Sequence, residues 1–204
     1  MANNSTKMKS RFRGYLPVVI DIETGGFNHK TDAMLEIAAV ILDFDDQGKL
    51  TPIDSHFSHV EPFKGANLEV SSLEFTGIDP GHPFRFAVEE IEALKKIFTP
   101  VRAKMKETGC IRAVLVGHNP AFDLNFLQAA VRRTKVKDPF HPFTTFDTAT
   151  LAACAYGQTV LARAADKAGI PFDANEAHSA LYDAERTADL FCKIVNTFSA
   201  SFSG

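Results

Sequence analysis

The chain has 204 residues, of which 45% are hydrophobic and 23% are charged, and this composition is typical of one globular domain with a full-sized core. No stretch is apolar over the length of a membrane span, and the polar, basic start of the chain does not resemble a secretory signal. The formal net charge of −3 argues against indiscriminate binding of nucleic acid.

The first half of the chain is predicted to contain an arm followed by a sheet. Residues 1–14 are polar and basic and are expected to form a loosely ordered N-terminal arm, followed by one domain over residues 15–204. The continuous apolar run at 17–23 predicts a buried strand. Two further strands are predicted at 35–44 and near 53–60, separated by a turn signal. These three strands are expected to form an antiparallel meander.

The second half of the chain alternates strands with helices. Helices are predicted at 71–75, 86–106, 121–133, 148–155, 159–168 and 179–198, and strands at 112–116 and 144–146. Pro100 is expected to divide the second of these helices, because proline lacks the backbone N–H that a helix interior needs. An antiparallel meander followed by βα units indicates a single mixed α/β domain.

Two carboxylates lie at the end of the first predicted strand. Asp21 and Glu23 are two residues apart, so their side chains project from the same face of the strand. Like charges at this separation repel each other unless a cation lies between them, and Mg²⁺ prefers oxygen ligands of this kind. Such a pair also arises by chance on edge strands. The other acidic and histidine residues of the chain therefore decide what the pair means.

Three more residues offer suitable chemistry. Asp123 lies in the first turn of a helix that follows a strand, where carboxylates either stabilise the helix dipole or contribute to a ligand site at the sheet edge. His178 and Asp183 are five residues apart, which is not a same-face helical spacing. If Asp183 lies in the first turns of the last helix, His178 must lie in the turn that enters this helix to reach the same site. A histidine there acts either as a general base or as a loop cap.

This set of five residues resembles the DEDD exonucleases that carry histidine in their last motif. The family includes proofreading subunits of DNA polymerases, oligoribonuclease and ribonuclease T, and the resemblance extends from about Pro17 to Phe198. The closest similarity is to the ribonuclease T group, in the stretches at 19–26, 117–119, 147–149 and 177–183. The resemblance implies a ribonuclease H-like fold, in which a mixed sheet of an antiparallel meander plus parallel strands is flanked by helices.

The resemblance also implies a reaction. Four carboxylates would hold two Mg²⁺ ions, or Mn²⁺, for the hydrolysis of a phosphodiester. Asp21 would bridge both ions, Glu23 and Asp183 would support the ion on the nucleophile side, and Asp123 would act on the other through water. His178 would accept the proton of the attacking water. The expected enzyme is a 3′→5′ exoribonuclease that trims the 3′ ends of tRNA and other stable RNA precursors, also acts on single-stranded DNA, and releases nucleoside 5′-monophosphates.

Substrate contacts are implied by the same resemblance. Phenylalanines of the family stack on the last bases at the 3′ end, and the corresponding residues are Phe27, Phe75, Phe122 and Phe143. Where the family has a glutamate, four residues before the loop phenylalanine, this chain has Ser71, so the 3′-terminal base preference is left open.

Segregated basic residues and the cysteines complete the sequence-based predictions. In the family's homodimer, a basic patch holds the nucleic acid upstream of the partner's active site, and the corresponding residues are Arg11, Arg13, Lys106 and Arg112. Three cysteines without C-x-x-C spacing indicate reduced thiols and a cytoplasmic protein.

Other functions are compatible with parts of this pattern. A polymerase proofreading subunit and oligoribonuclease are the nearest enzymatic alternatives. An inactive nucleic-acid-binding scaffold is expected to lack at least one of the five residues, and all five are present. A metal-dependent phosphatase would leave the aromatic and basic residues without a role.

Overall fold

A computed structural model describes residues 8–201 and contains one five-stranded mixed sheet. The strands are β1 (Tyr15–Thr24), β2 (Met34–Phe44), β3 (Leu50–His59), β4 (Arg112–Gly117) and β5 (Phe140–Asp147). Their order across the sheet is β3-β2-β1-β4-β5. The pairs β1–β2 and β2–β3 are antiparallel, whereas β1–β4 and β4–β5 are parallel. This is the predicted meander extended by parallel strands.

Six α-helices flank the sheet within the described residues. They are α1 (Val70–Thr76), α2 (Glu90–Thr108), α3 (Ala121–Thr134), α4 (Thr148–Tyr156), α5 (Leu161–Ala168) and α6 (Ala180–Ser201). Helix α6 packs across β1, β2 and β3 and also contacts α4 and α5. Helix α2 packs across β1–β4 and contacts α3. The helices thus form two groups that bury the apolar sheet.

The central strands of the sheet are almost completely buried. All eleven residues of β2 are buried, and the first six residues of β1 are buried as well. Strands covered by helices on their faces read as continuous apolar runs, and this is the pattern seen at 17–23 and 35–44. A site at the end of β1 therefore lies next to the buried centre of the sheet.

Residues 8–14 pack onto the domain rather than extending from it as a loose arm. Met8 is fully buried in the main core. The ring of Phe12 lies 5.3 Å from that of Phe146 and 6.4 Å from that of Phe191. Residues 1–7 of the predicted arm lie outside the described part of the chain.

Two local predictions were wrong. Helix α2 begins at Glu90 rather than at residue 86, because Phe86 adopts a left-handed backbone with φ of 49°. It also continues through Pro100 without division, because buried residues on both sides of the proline pack the helix against the core.

Strand β5 is longer than predicted. Phe140 of β5 pairs with Ala113 of β4, and Thr145 of β5 pairs with Leu115 of β4. Four residues of β5, at 141–144, thus lie opposite one residue of β4, and this bulge interrupts the alternation that predicts strands.

Candidate active site

The two carboxylates of β1 lie at its C-terminal end, in the centre of the sheet. Asp21 faces Ala38 and Glu23 faces Glu36 across the β1–β2 ladder. Strand β4 is parallel to β1, so its C-terminal turn and helix α3 lie at the same edge of the sheet. The topology therefore brings residues from β1, β2 and α3 together.

The side chain of Asp123 is held against β1 by a hydrogen bond from the backbone of that strand. Its side chain is 5% exposed, and its Oδ1 accepts a hydrogen bond of 3.0 Å from the backbone N–H of Ile22. This contact holds Asp123 against β1 at the residue between Asp21 and Glu23, although it is 101 residues away in sequence. The charge of Asp123 acts on both of these carboxylates, so the residue predicted at the helix start lies in the same acidic cluster.

His178 and Asp183 come together through an unusual backbone conformation. His178 has a φ of 66°, in the left-handed region, and its N–H donates a hydrogen bond of 3.0 Å to Asp183 Oδ2. Glu23, His178 and Asp183 each offer a ligand atom, and these three atoms lie within 4.8 Å of one another. The five-residue spacing therefore works because the chain turns sharply before α6.

The electrostatics of the cluster are unfavourable when it holds no cation. Burial, followed by the charges of Asp123, Glu23 and other acidic neighbours, raises the pKa of Asp21 well above its usual value. Burial and the nearby Asp183 raise the pKa of Glu23 to about 8. Burial also raises the pKa of Asp123 to about 8, against the opposing effect of the hydrogen bond from Ile22. The cluster thus disfavours its own ionisation.

The donor set fits a divalent cation. Asp183 Oδ1 is buried and has no hydrogen-bond partner among the described residues, while Oδ2 accepts a hydrogen bond from the backbone N–H of His178. Four carboxylates at one sheet edge supply only oxygen ligands, and hard divalent cations prefer oxygen. A cation there would restore the ionised form of each carboxylate and would also satisfy the free oxygen.

An apolar cleft of about 330 Å³ adjoins the carboxylates. Phe27 from the loop after β1, Phe75 from α1 and Phe122 from α3 line it, with Ser71 also in the wall. Phe27 and Phe75 are 79% and 66% exposed, and exposed apolar residues that line one cleft together are typical of a binding groove. The ring of Phe75 lies 4.2 Å from that of His178, so the cleft and the carboxylate cluster are contiguous.

Comparison with known proteins identifies this combination of fold and site. A family model described as an exonuclease, the ribonuclease T model, matches residues 18–191. The chain belongs to this exonuclease family. A protein of Marinobacter nauticus named ribonuclease T is 62% identical over 190 residues, which cover 93% of this chain and 86% of that protein. A ribonuclease T of Photorhabdus laumondii is 61% identical over 93% of this chain and 88% of that protein.

Solved structures of more distant exonucleases share the fold. Escherichia coli exonuclease I in complex with a dT13 oligonucleotide has a TM-score of 0.64 and 18% identity. The match covers 92% of this chain, which spans 42% of that protein. The predicted family, the ribonuclease H-like fold and the 3′→5′ exonuclease class are thereby confirmed. Nucleic acids are the substrates of such enzymes, and divalent cations are their usual cofactors.

The other residues predicted to contact nucleic acid, Phe143 and the basic patch, lie outside the aromatic cleft. Phe143 is 77% exposed on the bulge of β5, where it packs edge-on against His141, and it does not line the aromatic cleft. The predicted basic patch of Arg11, Arg13, Lys106 and Arg112 lies at the opposite end of the sheet. Arg112 pairs with Tyr15 at the start of β1, six residues before Asp21, which corresponds to about 20 Å along a strand.

Two of the basic residues also have structural contacts. Arg11 donates a hydrogen bond of 2.8 Å to Ser199 Oγ and lies over the rings of Phe12 and Phe44. Arg13 lies over the ring of Tyr15 at 5.4 Å. The aromatic residues predicted for one site are therefore partly brought together, whereas the basic patch lies away from the carboxylates of the same subunit.

Sequence reasoning did not assign a role to Glu36, His118 and Asn119. His118 and Asn119 line a cleft of about 280 Å³ together with Asp21 and His178. The Gly117-His118-Asn119 turn supported the family resemblance but received no role of its own. Its position after a buried strand would have indicated a site at the sheet edge. Glu36 gives no local signal, because it is one of two separated acids, with Asp43, in an otherwise apolar strand. Within the described residues, no helix is long and apolar enough to cross a bilayer.

Proposed function

We propose that this protein is a 3′→5′ exoribonuclease that trims the 3′ ends of tRNA and other stable RNA precursors and also degrades single-stranded DNA. The observation that carries the proposal is the contact between the carboxylate–histidine cluster and the aromatic cleft, which together accommodate a phosphodiester and its terminal bases. Two relatives named ribonuclease T, at 62% and 61% identity, favour RNA as the principal substrate. Nothing in the cleft requires a 2′-hydroxyl, so DNA is the second substrate.

The proposed cofactor is a pair of Mg²⁺ ions, for which Mn²⁺ can substitute. Asp21, Glu23, Asp123 and Asp183 would hold them, since these four carboxylates converge at one sheet edge. When bound, such ions lower the pKa of water and stabilise charge on the leaving oxygen. They would also allow the acidic cluster to accept a negatively charged phosphodiester, which the bare carboxylates repel.

His178 is assigned the role of general base. Its side chain is exposed to the cleft, it lies within ligand distance of Glu23 and Asp183, and histidine titrates near neutral pH. Asp183 holds the backbone N–H of His178 through Oδ2, so the same carboxylate that faces the cation also positions the base. His178 would take the proton of the attacking water, and the product would be a nucleoside 5′-monophosphate.

The aromatic cleft is assigned to the terminal bases. Phe27 and Phe122 present rings 6.2 Å apart in an edge-on arrangement, which leaves exposed faces on which bases stack. Ser71 lines the same cleft and can donate or accept a hydrogen bond, whereas a carboxylate only accepts. Base preference at the 3′ end is therefore expected to depend on Ser71.

The position of the basic patch supports a homodimer as the active unit. Because the patch lies about 20 Å along the sheet from the carboxylates of its own subunit, it would hold the strand that enters the partner's site. We also propose a cytoplasmic location. All three cysteines are free, which suits a reducing compartment.

A time course with 5′-labelled strands and a 3′-extended tRNA, in Mg²⁺ and in EDTA, tests the proposed activity. The expected result is a metal-dependent ladder that shortens from the 3′ end and is absent with Asp21→Asn. Intact binding without cleavage of any substrate would contradict it and favour the inactive-scaffold alternative. Cleavage confined to very short oligomers would favour oligoribonuclease, and cleavage confined to DNA would favour a proofreading enzyme.

The aromatic assignment has its own test in the same assay. Phe27→Ala should raise KM for single strands about 5- to 150-fold, which corresponds to the loss of about 1–3 kcal/mol of base stacking. Phe84→Ala is the matched control, because Phe84 is 75% exposed but does not line the cleft. Equal effects of the two variants would contradict the assignment.

A further inference from the structure

Glu36 is a buried carboxylate that the reaction above does not use. It lies near the start of β2 with 7% exposure, directly opposite Glu23 in the strand ladder. Placing a second acid beside a catalytic carboxylate raises the pKa of that carboxylate and is unfavourable. Such a placement requires a compensating role.

The contacts of Glu36 lead to the start of the last helix. Its Oε2 accepts a hydrogen bond of 3.3 Å from the backbone N–H of Ala180, the first residue of α6. The N–H groups at a helix start lack partners within the helix, and a carboxylate both satisfies them and interacts favourably with the helix dipole. Glu36 therefore caps α6 from a neighbouring strand, 144 residues away in sequence.

A second set of contacts fixes Glu36 itself. Its Oε1 forms an ion-pair contact of 3.0 Å with His59 Nδ1. Arg85 donates a hydrogen bond of 2.8 Å to the carbonyl of Leu35, next to Glu36 in β2, so that its guanidinium lies near the carboxylate. Glu36, His59 and Arg85 line one cleft together with His178 and Ser179. The carboxylate is thus held from one side by β3 and from the other by α6.

The residues that depend on this cap are the histidine and the last carboxylate. Ala180 lies two residues after His178 and three before Asp183. The backbone of His178 is in the left-handed region, which disfavours non-glycine residues, so it needs outside support to stay in place. We propose that Glu36, held by His59, is a positioning residue that anchors the start of α6 on the sheet and thereby sets His178 and Asp183 for the reaction.

Glu36→Gln and Glu36→Ala distinguish a capping role of Glu36 from an effect of its charge. Glutamine keeps an oxygen for the N–H of Ala180 and gains an N–H for His59 Nδ1, whereas alanine removes both contacts. We expect Glu36→Ala to lower kcat about 10- to 100-fold, the usual effect of losing a residue that orients ligands, with KM for the nucleic acid unchanged. Glu36→Gln should retain most of kcat.

Hydrogen–deuterium exchange in the metal-free protein gives a readout that does not depend on the substrate or on activity. Amides of the 178–183 segment should exchange faster in Glu36→Ala than in the wild type and should be protected again in Glu36→Gln. His59→Ala, which leaves the carboxylate in place, should have an intermediate effect. If the proposed RNA activity fails altogether, this exchange pattern still tests the role of Glu36.

Glu185→Ala is the matched control. Glu185 also links α6 to β3, through a hydrogen bond of 3.1 Å from Ser55 Oγ, but it lies beyond Asp183 and away from the helix start. It should change neither kcat nor exchange at 178–183. The proposal would be overturned if Glu36→Gln were as slow as Glu36→Ala, because the charge rather than the cap would then matter. Unchanged exchange at 178–183 in Glu36→Ala would overturn it equally.

Discussion

At the scale of single residues, the site combines one exposed histidine, the proposed general base, with four carboxylates whose pKa values are raised by burial. His178 is exposed and held in a left-handed conformation, while Asp123 is almost fully buried. The base can reach water while the carboxylates keep a fixed geometry. The chemistry therefore depends on side chains whose surroundings differ sharply over a few ångströms.

Replacement of the base should slow the reaction without disturbing the fold. His178→Asn is the suitable variant, because asparagine tolerates the left-handed backbone better than alanine does. We expect kcat to fall about 10²- to 10⁴-fold, the usual contribution of a general base, with nucleic-acid binding retained. Steady-state kinetics and equilibrium binding measure the two effects, and His82→Asn, an exposed histidine outside the cleft, serves as control. Unchanged kcat would exclude His178 as the base.

The raised pKa values predict how stability depends on pH. In the folded, metal-free protein the pKa of Glu23 and that of Asp123 are about 8, against ordinary values of 4.5 and 3.8. Groups raised in this way contribute stability that is complete below their unfolded pKa and is lost as pH rises through the folded value. In EDTA the Tm should therefore fall between pH 5 and pH 9.

Two additions make this measurement specific. Asp21→Asn removes one of the repelling charges, so its Tm in EDTA should fall less steeply over the same range. Mg²⁺ added to the wild type at pH 9 should recover the lost Tm, because ligands that bind only the folded state stabilise it. Parallel pH profiles for wild type and Asp21→Asn would show that the cluster is not responsible.

At the scale of elements, the site is assembled from strand ends and helix starts rather than from one continuous motif. Strand β1 supplies two carboxylates, the starts of α3 and α6 supply one each, and α1 supplies part of the aromatic wall. Each of these elements is fixed by packing on the sheet. The aromatic cleft and the carboxylates can therefore keep a constant relative position.

Helix α2 illustrates how packing overrides local preference. Pro100 lies inside it, although a proline in a helix interior leaves the carbonyl four residues earlier without its partner. Pro100→Ala should raise the free energy of unfolding by up to about 3 kcal/mol, measured by urea denaturation. Thr99→Ala, at the exposed neighbouring position, should change it by less than about 0.5 kcal/mol. If Pro100→Ala were not stabilising, the helix would have to accommodate the proline without cost.

At the scale of the whole molecule, the carboxylate cluster and the basic patch proposed to hold the strand lie at opposite ends of one sheet. The carboxylates lie where β1 and β4 end, and the basic patch lies where these strands begin. We propose that a single subunit does not use both on the same strand of nucleic acid. Two subunits related by a twofold axis can use both, provided that the patch of each reaches the site of the other.

Mixed dimers test this arrangement directly. Asp21→Asn subunits lack catalysis but keep the patch, and subunits with Arg13, Lys106 and Arg112 changed to alanine keep catalysis but lack the patch. Each alone should be poorly active on long single strands. After equal mixing and subunit exchange, about a quarter of wild-type activity should return, because half of the dimers would each have one complete site. If mixing gave no gain in activity, the patch would serve the active site of its own subunit or would not contribute to binding at all.

The sequence by itself determined the chemistry and the order of the elements. Apolar runs predicted β1, β2 and β4 because strands covered on both faces need them, and the order of acids and histidine indicated the exonuclease family. Such signals are local. They therefore sufficed to predict the carboxylate pair of Asp21 and Glu23 and the helix that begins after Gly117-His118-Asn119. They failed where local rules are overridden, as at Pro100 and in the bulge of β5.

Only the tertiary structure decided which of these groups meet. The hydrogen bond from Ile22 to Asp123 spans 101 residues and that from Ala180 to Glu36 spans 144, and no local pattern specifies contacts at such separations. The same is true of the exposed phenylalanines, since Phe27 and Phe75 line the cleft whereas Phe143 does not. Residue type is fixed along the chain, but distance is fixed by the packing of the sheet and helices, and the site depends on both.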